Sequence, residues 1–161
     1  PFVGTKELQG LKMMMVFMNN WDVLDLQNKV IVVDGVNQYI VSDLGRTFGK
    51  YGNNNFPIFY RLGRKTGSPE HYSQTKFIRG VDEGRVELSI KGKNQGIYED
   101  VTVDDGRWLY ERLSKLSDKQ ISDAFRAANY SSEEIETYLK SIRAKINELR
   151  DAVGGEKVAG N

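Results

Sequence analysis

The 161-residue chain has no cysteine and one histidine, His71. The first absence excludes disulfides, thiolate zinc sites and cysteine nucleophiles. With no second histidine and no serine elbow, neither a histidine metal site nor a serine–histidine triad is expected, so His71 reads as a surface residue. Neither sign of charge is in excess, with 23 basic residues against 22 acidic ones. Nucleic acid and anionic membrane are therefore not indicated as partners. The longest apolar run, Met13–Met18, falls far short of the ~20 residues a membrane span needs. There is no P-loop pattern, zinc spacing, internal repeat or low-complexity tract. Compartment stays open.

What is present suffices for one domain with a real core, at 39% hydrophobic content. Residues 5–18 predict a helix, with Leu8, Leu11, Met15 and Met18 as one stripe and a second half apolar all round. The methionines read as core. Val30–Val33 and Tyr39–Val41 predict a hairpin turning at Asp34–Gln38. Gly45 to Thr75 loses periodicity and reads as a long loop. Within it Arg61, Arg64 and Lys65 with Tyr60 read as three scattered, solvated charges before they read as a nucleic-acid or phosphate patch. Lys76–Val81 and Arg85–Ile90 predict two strands, with a third near Gly96–Val101 in a small surface meander. The last third is helical. Thr102 caps a helix to about Lys115 with Trp108, Leu109 and Leu113 inward, and Ser117-x-x-Gln120 and Ser131-x-x-Glu134 are capping boxes. The first box opens a helix with Ile121, Ala124, Phe125 and Ala128 on one face. The second opens a helix striped by Ile135, Leu139, Ile142, Ile146 and Leu149, which reads as an intramolecular face and ends at Gly154-Gly155. Asn129-Tyr130-Ser131 matches a glycosylation sequon, a triplet common by chance. The fold class is α+β, mainly helical with short antiparallel hairpins, as one domain over 1–155 and a frayed tail over 156–161.

Acids and amides cluster in Asn19–Gly45. The first helix runs into Asn19-Asn20-Trp21-Asp22, Asn28 follows, and the hairpin delivers Asp43 into Leu44-Gly45. Two acids and an amide at the ends of regular elements can converge on one point. Such a set suits a hard cation held by oxygens, with one carboxylate left to orient a hydroxyl.

This order of apolar helix, N-W-D, Asn, hairpin and V-S-D-L-G resembles the C-lobe core of the protein-kinase-like superfamily. It is similar to bacterial kinase-like proteins related to the HipA and lipid-kinase branches. The likeness covers Leu8 to Gly49, and the run from Leu116 to Tyr130 resembles that family's tail. It implies Asp22 as the catalytic acidic residue, Asn28 and Asp43 as magnesium ligands, and Asp43 with Gly45 at the nucleotide, so that Mg2+ and ATP are the implied cofactors. Against the usual H-R-D-L-K-x-x-N loop, Asn20 and Trp21 stand at the His and Arg positions, Leu24 at the Lys position and Gln27 at the Asn position. Asn28 lies one residue late, and Asp25 is a spare carboxylate. The metal half of the pattern is more complete than the catalytic half.

A kinase-like enzyme also needs a glycine-rich loop and a strand lysine for the nucleotide phosphates. Too few residues precede Asp22 to build them. The opening Pro1-Phe2-Val3, without an initiator Met, reads as a processed product or a piece of a longer protein. The expected partner is thus a missing N-lobe or another protein. Two further readings stand beside the enzyme: a catalytically degenerate kinase-like domain used for protein binding or assembly, and an α+β domain in which the motifs are accidental.

Overall fold

The computed structural model describes residues 2–21, 28–42, 44–52, 63–90 and 95–154. Its described elements are α1 (Lys6–Phe17), β1 (Asn28–Val33), β2 (Val36–Val41), α2 (Pro69–Ser73), β3 (Ile78–Asp82), β4 (Arg85–Leu88), a 3-10 turn (Gln95–Tyr98), α3 (Val103–Leu113), α4 (Asp118–Ala127) and α5 (Ser132–Gly154). It is an α+β arrangement of helices with two separate two-stranded antiparallel sheets, β1–β2 and β3–β4. Among the described residues no helix is long and apolar enough to cross a membrane.

α5 is the central helix. It buries Ile135, Tyr138, Ile142, Ile146, Leu149 and Val153, and α2, α3, α4 and β3 all pack on it. Its stripe is an intramolecular face. Leu139 departs from the expectation and is only partly buried, while Tyr138 takes the inward place. The Tyr138 ring stacks on Phe125 at 4.3 Å and meets Phe48, Tyr72 and Tyr130 at an angle. These aromatic contacts tie α4 and the segment after Gly45 to the same helix.

The three helix starts follow from their caps. Thr102 and Asp105 satisfy each other's backbone N–H groups, as do Ser117 with Gln120 and Ser131 with Glu134. α4 corrects the expected face, because Ile121 and Phe125 are buried but Ala124 and Ala128 are exposed. The buried face of α4 is thus an i, i+4 pair, and at its start Asp118 also accepts from Arg143 of α5 at 2.7 Å.

α1 corrects its expected stripe. Leu11 is exposed and Met18 half-buried, while Gln9, Gly10, Met13, Met15, Val16 and Phe17 are buried. Gly10 sets this rotation: a Cβ there would lie 2.5 Å from Trp108 Cζ3, so only glycine lets α1 approach α3 so closely. The same face sends the Gln9 amide and the Lys12 ammonium to the Asp100 carboxylate.

Both hairpins close with two-residue turns in which both residues have positive φ, Asp34-Gly35 and Glu83-Gly84. That is type I′ geometry, whose twist matches the strands. β1–β2 is accordingly longer than expected, with its turn shorter. In β3–β4 the predicted alternation holds, with Val86, Leu88 and Ile90 buried. The expected third strand does not form. Ile97 is exposed while Tyr98 and Val101 are buried, the three-residue spacing of a helical turn. Only an isolated pairing of Arg85 with Thr102 follows it. Nor is this hairpin a surface feature, since Val86 and Leu88 lie in the main core. The loop from Gly45 to Thr75 holds α2, announced by Ser68 at its N-cap, Pro69 at its start and Glu70 in its first turn.

Candidate functional site

Of the expected site residues, Asp22 and Asp43 lie outside the described residues, as do Leu24, Asp25 and Gln27. So does the Asn28 side chain. The Asn28 backbone opens β1 directly opposite Val41. This register puts Asn28 and the chain leading to Asp43 at the same open end of the hairpin. Gly45 is exposed in the turn that follows. Tyr60 and Arg61 also lie outside the described residues.

The frame around these positions is well defined. α1 ends in a Schellman motif: Asn20 N–H donates to Met15 O at 2.8 Å and Asn19 N–H to Val16 O at 2.9 Å. Asn19 takes φ +54° there, a conformation that suits Gly and Asn. Its fully buried amide nitrogen donates to Gly49 O at 2.8 Å and to the Thr75 hydroxyl at 2.7 Å. Phe48 N–H donates to Met18 O at 2.7 Å. The segment after D-L-G is thereby fastened to the end of the helix that leads into N-W-D.

A second segment closes over the first. Lys50 and Lys65 exchange both backbone hydrogen bonds, at 3.1 and 3.2 Å, Gly67 N–H donates to Thr47 O and Ser68 N–H to Phe48 O. Gly49 is required at this contact, since a Cβ would stand 2.0 Å from Lys65 O. The two segments converge on Trp21. The Arg46 guanidinium carbon lies 4.9 Å from the indole centroid and that of Arg64 4.2 Å. The residue before Asp22, the residue after Gly45 and the returning loop therefore meet at one ring. Sequence reasoning placed Arg64 among solvated charges and passed over Arg46. The pairing of an exposed-loop Arg with a Trp beside the candidate acid was the available signal.

Behind this frame lies a buried polar network. Lys145, 1% exposed, donates from Nζ to Thr75 O at 2.6 Å and to the Thr75 hydroxyl at 2.9 Å. Burial pulls the Lys145 ammonium down to about 8, against the opposing pull of Glu148. Glu148 Oε2 accepts from the N–H groups of Phe77 and Ile78, and the Tyr72 hydroxyl donates to Phe17 O. His71 corrects its expected surface placement: it is half-buried in α2 with Nδ1 2.7 Å from the Ser68 hydroxyl oxygen.

Chemically, the frame offers two guanidiniums beside the chain neighbours of two carboxylates. Among the described residues no group of three or more His, Asp or Glu could hold a metal ion. The expected magnesium donors, Asp43 and Asn28, would supply a carboxylate and an amide oxygen, the hard donors that magnesium takes. The hairpin register is compatible with their acting together. No family model, curated protein or solved structure matches this chain.

Proposed function

We propose that the chain is the C-terminal lobe of an atypical kinase-like phosphotransferase. Asp43 and Asn28 would hold magnesium with its nucleotide, Gly45 would give the nucleotide close backbone approach, and Asp22 is the catalytic acidic residue. When bound, Mg–ATP would supply the phosphoryl group, with the metal neutralising its charge. Asp22 orients the acceptor hydroxyl and takes its proton, so the protein's share is positioning and electrostatics. The observation that carries this reading is the meeting of Arg46 with Trp21 at 4.9 Å. It brings together Trp21, which precedes Asp22 in the chain, and Arg46, which follows Asp43 by three residues, although the whole hairpin separates them in sequence. Arg46 and Arg64 also bring positive charge to a site where Leu24 stands at the usual lysine position.

The test is Asp43→Asn in the full chain, read by magnesium-dependent nucleotide binding and by phosphotransfer. Both are expected to fall at least tenfold with the fold intact. Binding and activity equal to wild type would reject the assignment.

A second reading is a catalytically degenerate kinase-like domain serving protein binding or assembly. Its supporting observation is the exposure of apolar side chains along β1–β2. Neutralising Asp22 and Asp43 together separates the two, because an assembly module keeps its fold and its partner under that change.

A further inference from the structure

A cavity of about 370 Å³ opens where the chain after Gly49, α2 and the end of β4 meet. That is near the lower end of the ~300–1,000 Å³ of small-molecule pockets. Its lining comes from three stretches that are far apart in sequence. Lys50 follows the Asn19-anchored Gly49, His71, Gln74 and Lys76 come from α2 and the residues after it, and Ser89 follows β4.

The chemistry of this lining is one-sided. Its described residues hold two lysines and the single histidine of the chain, with no aspartate or glutamate. Among the described residues, no hydrogen bond or ion pair engages the Lys50 or Lys76 ammonium, the Gln74 amide or the Ser89 hydroxyl. On α4 and α5, by contrast, Lys119 meets Asp123 and Lys140 meets Glu136. His71 has its Nδ1 against the Ser68 hydroxyl, so Nε2 is the ring nitrogen left for a ligand. Behind the wall, Lys145 adds a further positive charge through its bonds to Thr75. Glu148 is the carboxylate on that side, and its Oε2 is turned to the N–H groups of Phe77 and Ile78. Like charges sharing one concavity repel, and an anion between them removes that cost.

We infer that this cavity binds a small phosphate monoester, with its phosphate between Lys50 and Lys76 and with His71, Gln74 and Ser89 as further donors. The donors arrive from three stretches of chain. A tetrahedral phosphate offers three oxygens to such a set, whereas a planar carboxylate offers two. Lysine serves phosphate as a point charge without needing bidentate geometry. A phosphate has the bulk of a few water molecules, each ~30 Å³, so the cavity also has room for a small organic body. Occupancy would join the chain after Gly49 to α2 and to Ser89, and so stabilise the fold. The inference does not rest on phosphotransfer.

The test is isothermal titration calorimetry of the full chain with sodium phosphate, in magnesium-free buffer at an ionic strength held constant with chloride. Saturable binding is expected with a dissociation constant on the order of 1 mM. Glycerol 3-phosphate should bind at least as tightly, and acetate at least tenfold more weakly. Lys50→Gln and Lys76→Gln should each weaken phosphate at least fivefold, while Lys119→Gln on the exposed face of α4 should leave it unchanged. Lys76 is exposed, so its variant keeps the fold, checked by circular dichroism, even where Lys50→Gln does not. The inference is overturned by no saturation below ~20 mM, by acetate binding as tightly as phosphate, or by a constant that Lys76→Gln leaves unmoved. Equal weakening by Lys119→Gln also overturns it, because overall charge would then be the cause. Asp43→Asn should bind phosphate as wild type does, whatever becomes of phosphotransfer. Phosphate binding that requires magnesium and is lost in Asp43→Asn would overturn the inference and assign the anion to the proposed nucleotide site.

Discussion

Lys145 reaches from the middle of α5 to both oxygens of Thr75, with its ammonium 2.6 Å from the carbonyl and 2.9 Å from the hydroxyl. The same hydroxyl accepts from the Asn19 amide. Thr75 is thus the point at which the central helix and the end of α1 are joined.

This contact predicts a pH dependence. Burial lowers the Lys145 ammonium from its ordinary 10.5 to about 8, and Glu148 only partly opposes it. Between those values the unfolded chain holds a proton that the folded chain has released. Stability therefore rises with pH across that window, and the contribution is lost as pH falls through 8. Buried tyrosines act in the opposite sense above pH 10. Desolvation raises Tyr72 and Tyr51, and raises Tyr98 to about 12. The unfolded state then ionises first and stability falls. Urea midpoints should pass through a maximum between pH 9 and 10. Lys145→Met should remove the rising limb and keep the falling one; a rising limb that survives would show that another group causes it.

Asn19 gives a second prediction, because its two roles can be separated. The residue occupies φ +54° and donates two buried hydrogen bonds. Asn19→Ala loses both bonds and adds left-handed strain, for a cost of about 2–4 kcal/mol. Asn19→Gly loses the bonds alone and should be the milder change by about 1 kcal/mol. Chemical denaturation of the pair checks the order, and a glycine variant less stable than the alanine one would refute the conformational argument.

A third prediction contrasts two glycines. At Gly49 an added methyl would run into the Lys65 carbonyl at 2.0 Å, whereas nothing lies within 4 Å of one at Gly96. Backbone cannot swing aside as a side chain can. Gly49→Ala should lose about 3 kcal/mol or fail to accumulate as folded protein, and Gly96→Ala should stay within about 0.5 kcal/mol of wild type. Thermal melts of the two suffice.

The parts legible from sequence were those specified locally. Thr102, Ser117 and Ser131 announce their helices because cap chemistry acts within three residues. The alternation of Val86, Leu88 and Ile90 announces a half-buried strand. Tertiary approach decided the rest. The inward face of α1 follows from Gly10 meeting Trp108, a residue far along the chain, which no periodicity within α1 contains. Tyr98 and Val101 turn inward because they join the main core, although their segment reads equally well as a strand. At the candidate site, N-W-D and D-L-G are visible as letters. The indole that gathers Arg46 and Arg64 is visible only in space.

That indole supports the last prediction. Trp21 precedes Asp22 directly, and the two guanidiniums over its ring belong to the segment after Gly45 and to the loop that returns across it. Each such contact contributes about 0.5–1 kcal/mol where water still has access. Trp21→Ala should therefore lower stability only modestly. On the proposed phosphotransfer reading its effect on activity should be larger, because the change frees the chain next to Asp22 and the segment after Gly45 from their common support, and a displacement of about 1 Å can cost a hundredfold in rate. In the full chain, kcat is expected to fall by roughly tenfold to a hundredfold while KM for Mg–ATP changes little. Trp21→Phe, which keeps an aromatic face, should recover most of the loss. If Trp21→Ala instead lowers the melting temperature and leaves kcat unchanged, the ring holds the fold and not the reacting groups.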